Sequence, residues 1–163
     1  MKTLTRSTVD SPVGLLRLIG SDSGLRAILW PEEREGRVTF DETIIDGEHP
    51  VLTETATQLA SYLAGDRHDF DLPLDPVGTD FQREVWAGLQ EIPYGETQTY
   101  GELADSLEKP GAARAVGAAT GRNPISIVIP CHRLVGSTGA LTGFAGGIES
   151  KRWLLNHESN SLF

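Results

Sequence analysis

The chain has 163 residues, one cysteine and a formal net charge of -9. A single cysteine excludes an internal disulfide framework and any multi-cysteine zinc site. Hydrophobic residues make up 39% and charged residues 23%, the mix of a folded domain and not of a disordered chain. No apolar run approaches the roughly 20 residues of a membrane span, and Met1–Arg6 has no apolar core of the signal-peptide kind. A soluble, cytoplasmic protein is expected.

The acidity is uneven. Residues 1–78 hold 7 basic and 14 acidic side chains, whereas residues 110–152 hold five cations (Arg114, Arg122, Arg133, Lys151, Arg152) against Glu149 alone. The average charge argues against a polyanionic partner, but that stretch does not.

In chain order, Thr3–Val9, Leu15–Ile19 and Leu25–Trp30 are short apolar runs separated by Gly, Pro, Ser and Asp, which predicts an antiparallel meander. Residues 31–47 read as a polar acidic loop. Val51, Thr55, Leu59, Tyr62 and Leu63 then fall at helical spacing up to Gly65. Residues 66–78, rich in Asp and Pro, predict a linker and a domain boundary between residues 78 and 79.

The second half predicts helices. Thr79-Asp80-Phe81-Gln82 and Thr99-Tyr100-Gly101-Glu102 both have the form of a capping box. The first opens a helix closed by Pro93 and Gly95, and the second a helix running to Lys109-Pro110-Gly111. Ala112–Thr120 is a third helix, joined to the second by about three residues, the arrangement of a helix-turn-helix. Its small residues, Ala113, Ala115, Gly117 and Ala118, allow close approach to another backbone, either a protein helix or a nucleic acid. Ile125–Ile129 predicts a short buried strand, residues 136–147 a glycine-rich loop, and Ile148–Glu158 a last helix.

The cysteine lies in Pro130-Cys131-His132-Arg133. Two adjacent potential cations would favour thiolate over thiol and make the sulfur nucleophilic. Adjacent side chains on an extended segment point apart, so an inert buried cysteine is the competing reading. His49 and His68 lie in polar stretches and read as solvated. Glu158 gains nothing from the helix dipole at a C-terminus, which leaves it exposed or paired with a cation elsewhere, such as a histidine whose tautomer it would hold.

Tyr100, Ala113-Arg114-Ala115-Val116-Gly117, Asn123-Pro124, Pro130-Cys131-His132-Arg133 and Gly143-Phe144-Ala145-Gly146-Gly147 occur together in this order. On these motifs the chain resembles the O6-alkylguanine-DNA alkyltransferases, also called methylated-DNA–protein-cysteine methyltransferases, densely over residues 79–158 and more loosely over residues 1–78.

The resemblance implies an α+β fold, with a small ribonuclease H-like antiparallel sheet plus helix over residues 1–78. A mostly helical DNA-binding, alkyl-accepting domain follows over residues 79–163. It implies single-use transfer of an alkyl group from guanine O6 in double-stranded DNA to Cys131. His132 would act as base through a water, Glu158 would orient it, and Asn123 would brace the site. Tyr100 would donate to the leaving base, and the Ala145 N–H would face O6. The Cys131 and Leu134 carbonyls would face the exocyclic amine. Phe144, Gly146 and Lys151 would complete the pocket. The Ala113–Gly121 helix would enter the minor groove, with Arg114 filling the gap of a flipped nucleotide. No cofactor, no metal, no membrane and no obligate protein partner are expected, and the protein is expected to be a monomer.

Phe144 departs from the family, where tyrosine is common at this position, and so lacks a hydroxyl donor. Two other readings stay open at this stage. One is a hydrolase or glutaminase using Cys131 and His132, for which no elbow motif is present. The other is a non-catalytic reader of alkylated DNA, which the presence of Cys131 disfavours.

Overall fold

The computed structural model describes residues 3–159. Strands β1 (Thr3–Val9), β2 (Leu16–Ser21) and β3 (Gly24–Leu29) form the expected antiparallel meander. A fourth strand, β4 (Thr43–Asp46), lies within the stretch read as loop and pairs with β1 in parallel, giving the order β3-β2-β1-β4. The sheet is therefore mixed. The sequence Thr-Ile-Ile-Asp is short and mostly exposed, and its partner lies some forty residues away, so neither alternation nor a hairpin turn marked it. What holds it is Ile44, packed with Val38 and Phe40 against a small cluster of Leu4, Ile19, Ala27 and Leu29.

Helix α1 (Pro50–Leu63) crosses the other face. Proline at its first position loses no hydrogen bond there, and His49 caps it by accepting from the Val51 N–H at 3.2 Å. His49 also meets Asp22 at 3.1 Å, so it is engaged and not simply solvated. The buried side of α1 includes Val51, Leu52, Thr55, Leu59 and Tyr62. It settles close because β2 offers Gly20: a Cβ there would stand 2.8 Å from Val51 Cγ1.

The second half contains α2 (Asp80–Gln90), α3 (Tyr100–Ser106), α4 (Ala113–Gly121) and α5 (Ile148–Ser159). Both predicted capping boxes form, Thr79 with Gln82 and Thr99 with Glu102. Helix α3 ends at Ser106, earlier than predicted, and residues 107–112 form a longer connection with Glu108 at φ 59° and Gly111 at φ 85°. The helix-turn-helix is thus built with a six-residue link. Trp86 fixes α4 behind it by donating from Nε1 to the Ala119 carbonyl at 2.8 Å. Two-residue strands β5 (Gln98–Thr99) and β6 (Leu134–Val135) pair in parallel, tying the start of α3 to the segment after Cys131.

The predicted strand Ile125–Ile129 is instead a tight reversal. Ile129 N–H donates to the Ile125 carbonyl at 2.9 Å, and Ile127 sits at φ 74°. A β-branched residue there is strained by roughly 1–3 kcal/mol and persists only where the surroundings fix it. Burial of Ile125, Ile127 and Ile129 supplies that fixing, and burial is also what made the run look like a strand. The reversal docks on the sheet: Ile28 N–H donates to the Pro124 carbonyl at 2.9 Å. Nearby, Leu25 N–H donates to the Pro73 carbonyl at 2.8 Å, so the β3 edge is covered along its length. One hydrophobic cluster runs through both halves, from Leu16, Trp30 and Tyr62 to Trp86, Ile125 and Leu154. Among the described residues no helix is long and apolar enough to cross a membrane, and no group of three or more His, Cys, Asp or Glu could hold a metal ion.

Candidate active site

Cys131 opens a 3-10 turn, Cys131–Arg133, that follows the strained reversal. The turn, and not an extended segment, decides where the neighbouring side chains go. Cys131 is free and buried at the floor of a cleft of about 390 Å³. The cleft is lined by Arg37, Tyr100, Gly117, Phe144 and Ala145, with exposed Arg34 also on its wall. Asn123 is fully buried and braces the reversal from within: its Nδ2 donates to the Ile129 carbonyl at 2.8 Å and its Oδ1 accepts from the Ile125 N–H at 3.0 Å.

His132 turns the other way, into the core. Its Nε2 lies 2.7 Å from Glu158 Oε2. The same carboxylate accepts from Arg133 Nε at 2.8 Å and Nη2 at 3.0 Å, and from the Tyr62 hydroxyl at 2.5 Å. Burial alone would raise the Glu158 carboxyl, but its hydrogen bonds and charge interactions with His132 and Arg133 hold it far below the usual carboxylate range. An ionised carboxylate only accepts, so His132 carries its proton on Nε2. Nδ1 is then a lone-pair acceptor. It is buried and has no hydrogen-bond partner among the described residues. Burial pushes His132 toward the neutral form, against the opposing pull of Glu158.

The cations next to Cys131 in sequence are not those acting on it in space. The Arg133 guanidinium is committed to Glu158 and to the Ile92 carbonyl, 2.7 Å from Nη1. Burial raises the Cys131 thiol, and a hydrogen bond from Asn123 and the charges of Arg37 and Lys151 oppose that rise. Arg37 was not foreseen. It comes from the loop before β4, is buried, and reaches the carbonyls of Gly121 at 3.2 Å and Asn123 at 2.8 Å, with Glu33 beside its Nε. A run of alternating Glu and Arg in an acidic loop reads as solvated surface, so no local signal set it apart.

Lys151, fully buried, donates to the Leu134 carbonyl at 2.6 Å and meets Thr142 Oγ1 at 3.4 Å. Thr142 in turn lies 2.6 Å from the Tyr100 hydroxyl. The Cys131 carbonyl accepts from the Leu134 N–H. Phe144 packs edge-on to Trp30 with ring centroids 5.3 Å apart, and a Cβ on Gly146 would stand 2.5 Å from the Trp30 ring. The loop therefore seats on an aromatic floor supplied by the first half. On α4, Arg114, Ala115 and Ala118 are exposed, while Ala113 and Gly117 are half-buried and Gly117 faces the Tyr100 ring.

Of the two remaining histidines, His68 stacks on Tyr94 at 3.8 Å, and His157 Nε2 lies 2.6 Å from the Tyr62 carbonyl. Neither reaches the cleft.

A helix-turn-helix beside a cleft with a buried cysteine, and a histidine and carboxylate behind it, is an arrangement expected of a DNA-binding protein that works through a cysteine. Two family models match, "6-O-methylguanine DNA methyltransferase, DNA binding domain" over residues 80–160 and "6-O-methylguanine DNA methyltransferase, ribonuclease-like domain" over residues 4–76. The methylated-DNA–protein-cysteine methyltransferase of Methanosarcina barkeri is 47% identical over 154 residues, which are 94% of this chain and 96% of that one. The Mycobacterium tuberculosis protein of the same name is 46% identical over 155 residues, 94% of this chain and 91% of that one. A crystal structure of the M. tuberculosis protein in complex with DNA superposes with a TM-score of 0.84 at 46% identity, covering 97% of this chain and 93% of that one. The chain belongs to the methylated-DNA–protein-cysteine methyltransferase family, DNA-binding transferases of DNA repair that act through a cysteine.

Proposed function

We propose that the protein removes the alkyl group from O6-alkylguanine in duplex DNA by transferring it irreversibly to Cys131, one lesion per protein molecule. The observation that carries this reading is the placement of the Cys131 sulfur at the floor of the cleft beside α4, with His132 held behind it by Glu158.

The geometry supports the following chemistry. His132 Nδ1, the lone-pair nitrogen, takes the thiol proton through a bridging water. The thiolate attacks the alkyl carbon, a sulfur–carbon bond forms as the O6–carbon bond breaks, and the electron pair leaves on the guanine. Lys151 donates to Thr142, and Thr142 can then donate to Tyr100. This leaves the Tyr100 proton free for the departing base at N3. The Ala145 N–H serves O6. The product is a thioether, which water does not cleave, so the cysteine is not regenerated.

A stacked guanine cannot reach the cleft, so the nucleotide must be extruded. The exposed face of α4 is almost without side-chain bulk, which suits a minor groove about 6 Å wide, and Arg114 projects there as the group that fills the vacated stack. Residues 1–78 act as the scaffold and residues 79–163 as the DNA-binding, alkyl-accepting part of a protein that works as a monomer.

The test is mass spectrometry after mixing with duplex DNA containing O6-methylguanine. One methyl is expected on the peptide containing Cys131, with repair stopping at one lesion per protein and Cys131→Ala inactive. Multiple turnover, or a methyl on another residue, would overturn the assignment.

A further inference from the structure

Cys131, His132 and Glu158, the residues of the proposed relay, all lie in the second half of the chain. Tyr62, the last buried residue of α1, reaches them from the first half: its hydroxyl donates to Glu158 Oε2 at 2.5 Å, the oxygen that also meets His132. We propose that Tyr62 is a positioning residue of the relay: by sharing that oxygen it limits how strongly Glu158 pulls on His132, and so keeps the imidazole neutral and able to accept the cysteine proton. This rests on the reading of Cys131, His132 and Glu158 given above, and adds to it a function for the first half beyond scaffolding.

The hydroxyl has one available direction. Burial and the neighbouring Glu158 charge raise the phenol, so it keeps its proton and acts as donor. The carboxylate it meets is fully enclosed. Arg133 faces it from the 3-10 turn, the Gly95 N–H lies 3.4 Å away in the loop after α2, and Tyr94 and His157 pack against the Tyr62 ring at 6.1 and 5.3 Å. Arg133 and Lys151 both act on His132 against its protonation. Arg133 and Tyr62 thus draw on the Glu158 charge together, one as a cation and one as a neutral donor. Removing the neutral donor concentrates that charge on the oxygen facing His132 Nε2. The imidazolium is then better stabilised, and the His132 pKa moves up.

The experiment is nitrogen-15 NMR of His132 against pH in the full chain and in Tyr62→Phe, which keeps the ring and removes only the hydroxyl. The expected result is an upward shift of the His132 midpoint by about half a unit to one unit. The pH at which benzylated-guanine transfer falls to half should move the same way. If His132 stays neutral in both proteins down to acid unfolding, its Nε2–H proton resonance decides instead, with a downfield shift expected in the variant. Phe70→Leu, which alters a ring 5.3 Å from Tyr62 without touching Glu158, should lower stability and leave the His132 resonances in place. A titration or Nε2–H resonance unchanged by Tyr62→Phe overturns the proposal. Because the NMR readout needs no alkyl transfer, that failure is separate from a failure of the alkyltransferase reading, which would show as an unmodified Cys131 in the wild type.

Discussion

Replacing Glu158 with Gln tests the buried cluster most directly. The carboxylate side chain is 1% exposed and accepts from Tyr62, His132 and two nitrogens of Arg133. The amide is nearly isosteric but uncharged, and one of its ends becomes a donor facing donors. The larger loss falls on Arg133, a buried cation left without its counter-ion. Breaking one side of a buried pair costs roughly 3–5 kcal/mol. Arg133 keeps the Ile92 carbonyl and the Tyr94 ring, 5.7 Å from its guanidinium carbon, so the lower end, about 3 kcal/mol, applies. For a chain of this size that lowers the melting temperature by about 6–12 °C. Adding Arg133→Met removes the stranded charge. The double variant should therefore recover about 2 kcal/mol relative to the sum of the single changes. Calorimetry gives these values, and the single-turnover rate on alkylated duplex should fall by about 100-fold as His132 loses its orienting acceptor. A melting temperature within about 2 °C of wild type and an unchanged rate would refute the argument that this carboxylate organises the site.

Three other outcomes follow from the structure. Arg114 is exposed, so Arg114→Ala should leave stability within about 0.5 kcal/mol. It should slow repair of duplex DNA far more than transfer from free benzylated guanine, measured side by side, and equal loss in both assays would contradict its placement in the vacated stack. Gly146→Ala drives a methyl to 2.5 Å from the Trp30 ring; the cost should be about 1–3 kcal/mol, read by thermal melting, and no loss would mean that the loop does not seat on Trp30. Acidification should destabilise the protein in two stages. His132 is lowered from its ordinary 6.5 and Glu158 from its ordinary 4.5, so below each of those values the unfolded chain binds the extra proton. Stability should fall as pH drops through 6.5 and again below 4.5, and Glu158→Gln should shrink the second stage in denaturant titrations, leaving the part that belongs to Glu42 and Asp46, which Arg26 and Arg6 also lower. A second stage of undiminished size in that variant would assign it to other carboxylates.

Helix starts were legible because their signals are local: Thr79 with Gln82 and Thr99 with Glu102 lie within one turn. The cysteine motif and the small-residue helix were legible because each is a short contiguous run of the chain. What escaped was set by long-range packing. β4 exists only as a parallel partner of β1. The Ile125–Ile129 reversal has the composition of a strand and is bent by its docking against β3 and by Asn123. The longer α3–α4 link depends on a left-handed Glu108, which composition does not announce. In the site, Tyr62 read as one more apolar position of α1, and Arg133 as a charge on the cysteine. The decisive contacts of both are with Glu158, 96 and 25 residues away.

The stitching of β3 to the catalytic reversal bears on how the molecule comes apart. The Ile28 N–H belongs to the sheet and the Pro124 carbonyl to the segment that carries the cysteine. The apolar cluster is also continuous across both halves. Opening either half alone would bare a sheet edge and split a shared interior, so the partly open state has no refuge. Unfolding should therefore pass through one transition, and the Ile28 amide should exchange with solvent only when the whole chain opens. Two family segments, residues 4–76 and 80–160, divide the sequence, yet they should melt as one unit.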